Sequence, residues 1–452
     1  MLNTPAARKE KDIVTTTATT PSISKYLART GRSRDLFEEA SLVIPGGVSR
    51  ATLAYQPYPF YAAAAAGAIV TDVDGNSYVD LINNYTSLPH GHGHGPTTVA
   101  VTAELATSSA IGTAHPREAE YAAELRERIP ALERLHFTTT GSEAVGFAAR
   151  VARANTDRIR ILKFEGGFHG SHSELYQDIG QPPLPSRTSA HARPESAGME
   201  PAHTITAVYN DIASVRDAFA RWGTEIAAVI VEPFLGNSSL VTAQRDFLDV
   251  VFESAHRSGA LVVFDEVQAL RAGYHGAQGL WGYRPDLVAI GKIIGGGYPL
   301  GAFGGRADLM SVLAGDGPRV LQTGTFTASP VFVAAGQAAM RSLGQAEYAA
   351  IETRTERLRQ AIRDEFASAR IPVHVNGIGS MFNIAISSEP VTSYQAHRRA
   401  NTALLSELRL ELLLRGVLVM PRGTGCLSTA VTDDHVDLVV DALRGGLAAL
   451  TR

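Results

Sequence analysis

The 452-residue chain has a single cysteine, Cys426. One thiol excludes an intrachain disulfide framework and a cysteine-rich zinc site. No apolar run reaches the roughly 18 residues of a membrane helix. Excess charge is also missing. The 41 Lys and Arg nearly balance 45 Asp and Glu, leaving a net −4. That argues against a general nucleic-acid binder. Residues 1–25, MLNTPAARKEKDIVTTTATTPSISK, are polar and Thr-rich. They lack the apolar core of a secretory signal. A flexible terminus is favoured there over a transit peptide, and the expected location is the cytoplasm. No internal repeat is present.

What remains is ordinary in bulk: 45% apolar and 19% charged residues. A chain of this length can bury a large core and form more than one domain. From about residue 100 to 340, short apolar runs alternate with amphipathic stretches. Strands are expected at Leu135–Thr138, Arg160–Phe164, Ala227–Val231, Leu261–Phe264 and Leu287–Ile290. Helices are expected at Ser142–Ala154 and Thr242–Ser258. The second presents Phe247, Val250, Val251 and Ser254 on one face and ends at Gly259. Such alternation predicts a doubly wound, mostly parallel sheet. Residues 67–80 read as a hairpin turning at Asp74-Gly75. Residues 345–452 read as an α+β unit: a helix, strands near Val373–Ile386 and Val417–Met420, and a last helix after Thr432. The expected division is a flexible segment 1–25, an N-terminal segment 26–95 serving a small domain and the site entrance, a large domain 96–340, and a small domain 341–452.

Val288–Gly305 holds one charged residue, Lys292, among apolar side chains and seven glycines. Lysine rarely sits in buried segments. Leu261-Val-Val-Phe-Asp-Glu-Val-Gln268 ends a second apolar strand with Asp265, 27 residues earlier. Acidic residues at the carboxyl ends of parallel strands face the ligand crevice. The plainer alternative for Asp265 is a helix cap or a surface salt bridge. Together, Asp265 and Lys292 suit pyridoxal 5′-phosphate. That cofactor needs a lysine for its Schiff base and a carboxylate to keep the pyridine nitrogen protonated. Desolvation favours the neutral, nucleophilic amine.

The cofactor phosphate needs donors. Thr138-Thr-Thr-Gly-Ser-Glu143 lies between a strand and a helix, where small residues offer N–H groups to an anion. The alternative is a plain cap with Ser142 as the capping residue. It is not a Walker loop, because Gly146 is followed by Phe147. In Gly166-Gly-Phe-His-Gly170, Phe168 either stacks on a flat ring or fills a core turn. His90-Gly-His-Gly-His94 imitates a metal site. No acidic or cysteine partner accompanies it, so close packing against the cofactor domain is the favoured reading and no metal is expected.

These motifs together resemble class III aminotransferases, which are fold-type I pyridoxal-phosphate enzymes. The resemblance runs from Ile44-Pro-Gly-Gly47 to about Leu443. It rests on Asp265-Glu-Val-Gln268, Gly291-Lys-Ile-Ile-Gly-Gly-Gly297 and Gly324-Thr-Phe-Thr-Ala-Ser-Pro330. Thr71-Asp-Val-Asp-Gly75 and Val231-Glu-Pro-Phe-Leu-Gly-Asn237 fit the branch of glutamate-1-semialdehyde aminomutases and β-amino acid transaminases. The resemblance implies an α/β fold with a seven-stranded type of mostly parallel sheet and a smaller α+β domain. It implies that Lys292 forms the Schiff base and shuttles a proton, and that Asp265 pairs with the ring nitrogen. Val267 and Phe168 would cover the two ring faces, with His169 also at the cofactor. Gln268 would reach the 3-oxygen, and Gly141 and Ser142 the phosphate. Thr325 would reach the phosphate of a neighbouring subunit, making a homodimer. Small-molecule amino donors and keto acceptors would be its partners, with pyridoxamine phosphate as the half-reaction form and no nucleic acid or membrane.

Departures fall mostly on the substrate side. The family usually has Tyr in place of Phe168, and Ser-Gly-Asn-Pro in place of Thr327-Ala-Ser-Pro330. The aminomutases carry their substrate arginine three places after Arg50, a Trp at Tyr85, and a Glu within the loop Pro421-Arg-Gly-Thr-Gly-Cys426. Gly46-Gly-Val-Ser-Arg50 and Asn83-Asn-Tyr-Thr-Ser-Leu-Pro-His-Gly-His92 look instead like the β-amino acid transaminases, in which guanidinium groups hold the substrate carboxylate. Arg50 and Arg422 are the candidates here, each against the alternative of a surface salt bridge. A transaminase for a β- or other non-α amino acid is therefore expected. An aminomutase or racemase is the second reading, and a cofactor-binding partner without turnover the third.

Overall fold

The computed structural model describes residues 20–172, 174–176, 203–315 and 319–451. The helix Pro21–Arg29 begins inside the stretch expected to be a flexible terminus. The Thr20 hydroxyl caps it, accepting from the Ile23 N–H. The rest of that expectation, residues 1–19, lies outside the described residues. Strands β1 (Ala62–Ala66), β2 (Ile69–Asp72) and β3 (Ser77–Asp80) form an antiparallel meander. The expected Asp-Gly turn joins β2 to β3, with Gly75 at φ +88°.

The main chain then lays down β4 (Arg134–Thr138), β5 (Arg160–Phe164), β6 (Thr204–Ala207) and β7 (Ile226–Val231). A short ribbon, β8 (Phe234–Leu235) with β9 (Val241–Thr242), precedes β10 (Leu261–Asp265), β11 (Leu287–Ile290) and β12 (Gly301–Gly305). Seven strands make one sheet in the order β4-β12-β11-β10-β7-β5-β6. Only β12 runs against its neighbours. Its sequence, GAFGG, has little strand propensity, which hid it from the sequence reading. Packing demands those glycines. A Cβ on Gly304 would lie 2.2 Å from the Arg134 carbonyl oxygen.

The helix Gly141–Thr156 covers the expected one. The expected helix Thr242–Ser258 starts later, at Arg245, because Val241–Thr242 pairs with Phe234–Leu235. It buries Phe247, Leu248, Val250, Val251 and Ala255, and stops where Gly259 turns left-handed at φ +72°. Ser254 is only half-buried.

After the helix Gln345–Ser368 come β13 (His374–Ile378), β14 (Met381–Ala385), β15 (Val417–Leu418), β16 (Thr424–Cys426) and the helix Asp433–Leu450, capped by Thr432. Strands β13, β14 and β16 form one sheet. β15 instead pairs parallel with β3, so the N-terminal meander and the C-terminal segment share a sheet. No described helix is long and apolar enough to cross a membrane.

Candidate active site

The central strands β7, β10 and β11 lie side by side and parallel. Apart from half-buried Leu261 their side chains are buried, and a charged group stands at the carboxyl end of each: Glu232, Asp265 and Lys292. This is the edge where doubly wound sheets bind ligands. Lys292 follows Gly291 and takes φ +51°, a left-handed conformation that costs a non-glycine residue about 1 kcal/mol. The residue as a whole is half-buried. Desolvation around its ammonium lowers its pKa, and the carboxyls of Asp265 and Glu232 pull the other way.

Asp265 is 4% exposed. Its Oδ2 lies 2.9 Å from His169 Nδ1, and its Oδ1 accepts the Val267 N–H at 3.0 Å. Burial holds His169 below the usual imidazole range, against the pull of Asp265. A neutral ring whose Nδ1–H donates to the carboxylate satisfies both groups. These two donors fix the carboxyl plane.

Thr140, rather than Ser142, caps the helix Gly141–Thr156. Its hydroxyl accepts the Glu143 N–H at 3.1 Å, and Glu143 reaches back to the Thr140 N–H. The Gly141 and Ser142 N–H groups therefore have no acceptor among the described residues. They face outward at the positive end of a 16-residue helix. Among the described residues Ser142 Oγ accepts only the Ser171 N–H, at 3.2 Å. A Cβ on Gly141 would meet Val267 at 2.7 Å, and one on Gly291 would meet Gly141 Cα at 3.2 Å. Glycine thus lets the helix end, Val267 and the turn before Lys292 touch.

Phe168 and Val267 are each half-buried. The Phe168 ring stands edge-on to Tyr176 with centroids 6.2 Å apart. Among the described residues Gln268 makes one weak hydrogen bond, Nε2 to Met381 Sδ at 3.9 Å, so its amide is available. Glu232 was not singled out from sequence, although its segment was. The signal was there: a carboxylate directly after the wholly apolar strand IAAVIV, as Asp265 follows LVVF. Burial and the nearby Asp265 push Glu232 up to about 8.

The remaining candidates lie further out. Residues Asn83–Thr86 form a left-handed turn with φ of 47°, 46°, 56° and 74°. It carries Tyr85, whose hydroxyl donates to the Thr52 carbonyl at 3.2 Å. Exposed Arg50 donates to Asn84 Oδ1 at 2.8 Å and lies 5.9 Å over the Tyr85 ring. Half-buried Arg422 donates to the Asn237 carbonyl at 2.9 Å. Burial lowers its pKa, and no carboxylate pairs with it among the described residues. Thr325 is exposed on the turn before the helix Pro330–Arg341.

The three histidines are absorbed by packing. His90 bonds the Thr429 hydroxyl and the Ala339 carbonyl, His92 bonds Asp80, and His94 bonds Thr97. A Cβ on Gly91 would lie 2.4 Å from the Gly67 carbonyl oxygen. No cluster of metal-ligating side chains exists among the described residues.

A lysine with a depressed pKa, an oriented carboxylate, unspent helix-end amides and two flanking apolar side chains fit a phosphorylated pyridine aldehyde. They define a fold-type I pyridoxal-phosphate enzyme. The profile of the family described as Aminotransferase class-III matches residues 52–445, and the chain belongs to that family. Glutamate-1-semialdehyde 2,1-aminomutase of Anaeromyxobacter dehalogenans is 38% identical over 93% of this chain and 98% of its own. An omega-transaminase structure from Sphaerobacter thermophilus is 36% identical, with TM-score 0.86 over 92% of this chain and 97% of its own. The β-phenylalanine aminotransferase of Variovorax paradoxus is 34% identical, also at TM-score 0.86, over 95% and 97%.

Proposed function

We propose that the protein is a transaminase for amino acids whose amino group is β to the carboxylate or further away. Arg422 carries this reading: a guanidinium partly withdrawn from water, bonded to a carbonyl, and without a carboxylate partner among the described residues. A desolvated guanidinium of this kind binds a substrate carboxylate strongly. Arg50, held by Asn84, is the second candidate anchor. The likeness to the β-phenylalanine aminotransferase supports the same substrate class.

Pyridoxal phosphate, when bound, would supply an electron sink next to the substrate carbon. The chain supplies the rest. Lys292 would hold the cofactor aldehyde, and as a neutral amine it would take the proton from the substrate carbon. Asp265, fixed by His169 and Val267, keeps the ring nitrogen protonated. The helix end at Gly141 and Ser142 holds the phosphate. Phe168 and Val267 exclude water from the ring faces.

The protein would work as a homodimer, with Thr325 reaching the partner subunit's phosphate. Leu321 and Phe326, on either side of Thr325, are 70% and 53% exposed, an apolar surface suited to a subunit contact. Light scattering on the purified chain tests this, and a monomer removes it.

The second reading is an aminomutase, favoured by the likeness to the curated aminomutases. Holoenzyme incubated with β-amino acid and no keto acid decides between them. A transaminase converts about one equivalent per site and stops until a keto acid is added. Repeated turnover without an acceptor replaces the transaminase reading with aminomutation.

A further inference from the structure

Glu232 stands one residue past β7 and is 5% exposed. Its own carbonyl is pinned by the Tyr209 hydroxyl at 2.8 Å. Its side chain joins two separate turns. Oε2 accepts the Phe168 N–H at 2.9 Å, and Oε1 accepts the Gly236 N–H at 3.3 Å. The first turn carries Phe168 and His169. The second is the surface against which Gln268 lies. A Cβ on Gly236 would come 2.1 Å from Gln268 Oε1 and 3.2 Å from Glu232 Oε1. Three residues expected to touch the cofactor therefore depend on the neighbourhood of one carboxyl group.

We propose that Glu232 is a positioning residue of the cofactor site, tying the Phe168 turn to the Gly236 turn so that the ring-stacking side chain and the Gln268 amide are set together. The residue type follows from the geometry. Two N–H donors converge from different turns, and only a side chain with two acceptor oxygens meets both. A glutamine offers one carbonyl oxygen and an NH₂ that cannot accept, so it keeps one tie and breaks the other. An apolar residue breaks both. The charged groups around Glu232 are Asp265 and Lys292, so any change in its protonation also acts on them directly. Gly236→Ala separates position from charge, because it displaces Gln268 and removes no charged group.

The experiment uses full-length protein reconstituted with pyridoxal phosphate. It compares wild type with Glu232→Gln, Glu232→Ala and Gly236→Ala. The readouts are the dissociation constant of pyridoxal phosphate and the pH midpoint of its visible absorbance in the holoenzyme. Glu232→Ala is expected to weaken cofactor binding about tenfold and to move the midpoint by about half a pH unit or more. Glu232→Gln should fall between it and wild type. Gly236→Ala should move the midpoint although it removes no charged group. Wild-type affinity and midpoint in Glu232→Ala and Gly236→Ala, with only a lower melting temperature, would overturn the proposal. Should Glu232→Ala not fold, wild-type values in Glu232→Gln and Gly236→Ala overturn it equally.

Discussion

His169 Nδ1 lies 2.9 Å from Asp265 Oδ2, and both side chains are almost wholly withdrawn from water. The pair links the Gly166–Gly170 turn to the end of β10, two segments nearly 100 residues apart in sequence. The imidazole therefore orients a carboxylate. His169→Ala should lower the rate of the first half-reaction about 10- to 100-fold, the worth of one hydrogen bond to a buried charge. The substrate KM should barely move. Burial keeps His169 neutral near pH 7, so the variant's pH–rate profile should keep the wild-type limbs at reduced height. Stopped-flow absorbance across pH 6 to 9 would check this. A lost limb would make His169 an acid or base in its own right.

Lys292 is the one candidate for covalent attachment at the carboxyl ends of these strands. Wild-type holoenzyme should be yellow, and borohydride should fix the cofactor to Lys292, found by peptide mass mapping. Lys292→Ala should lack the visible band of the lysine-bound cofactor and show no detectable turnover, while still binding pyridoxal phosphate through the helix end. Labelling at another lysine would displace Lys292 from its role.

The central strands were legible because buried parallel strands read as continuous apolar runs bounded by turn residues, as in LVAI of β11 and IAAVIV of β7. The charged residues Asp265 and Lys292 stood out for the same reason, whereas Glu232, in the equivalent place after β7, was passed over. The left-handed turn Asn83–Thr86 was not. Asparagine tolerates that conformation, but Tyr85 and Thr86 do not favour it. Asp80 supports it locally, and distant contacts complete it. Asp80 Oδ1 accepts the Ile82 and Asn83 N–H groups, Asn83 Nδ2 donates to the Cys426 carbonyl, and Arg271 Nε donates to the Thr86 carbonyl. Residues hundreds of positions apart hold one turn, and no local window contains that information. Tyr85 and the partner of Arg50, both proposed for the substrate side, lie on this turn, so that half of the proposed site was the less legible.

Arg422 and Arg50 should differ in weight. Arg422 is partly desolvated, while Arg50 is exposed. A charge-assisted hydrogen bond gains strength as water is removed. Arg422→Met should raise the KM for a β-amino acid about 10- to 100-fold with kcat little changed. Arg50→Met should raise it less. Steady-state kinetics with one donor at saturating acceptor would rank them, and a larger effect at Arg50 would move the principal anchor to the Asn83–Thr86 turn.

Glu266, next to Asp265, is fully buried and raised to about 7, chiefly by burial. Its carboxyl accepts the Gln278 and Ala277 N–H groups at 2.7 and 3.0 Å. Below the ordinary glutamate pKa of about 4.3, folded and unfolded chains both hold the proton. Between there and pH 7 the unfolded chain has lost it and the folded chain keeps it, so stability falls as pH rises. For one proton the slope approaches about 1.4 kcal/mol per pH unit, and it flattens above pH 7. Glu266→Gln removes this titration at a pH-independent cost for the acceptor it loses. The stability of the variant relative to wild type should therefore rise from pH 5 to 7 and then level off. Glu232 titrates with the same sign but is present in both proteins, so it largely cancels in the difference. Urea unfolding of both apoproteins at pH 5, 6, 7 and 8 measures the difference. A flat difference would mean that Glu266 is ionised in the folded protein throughout this range, with its two amide donors sufficient to hold the charge.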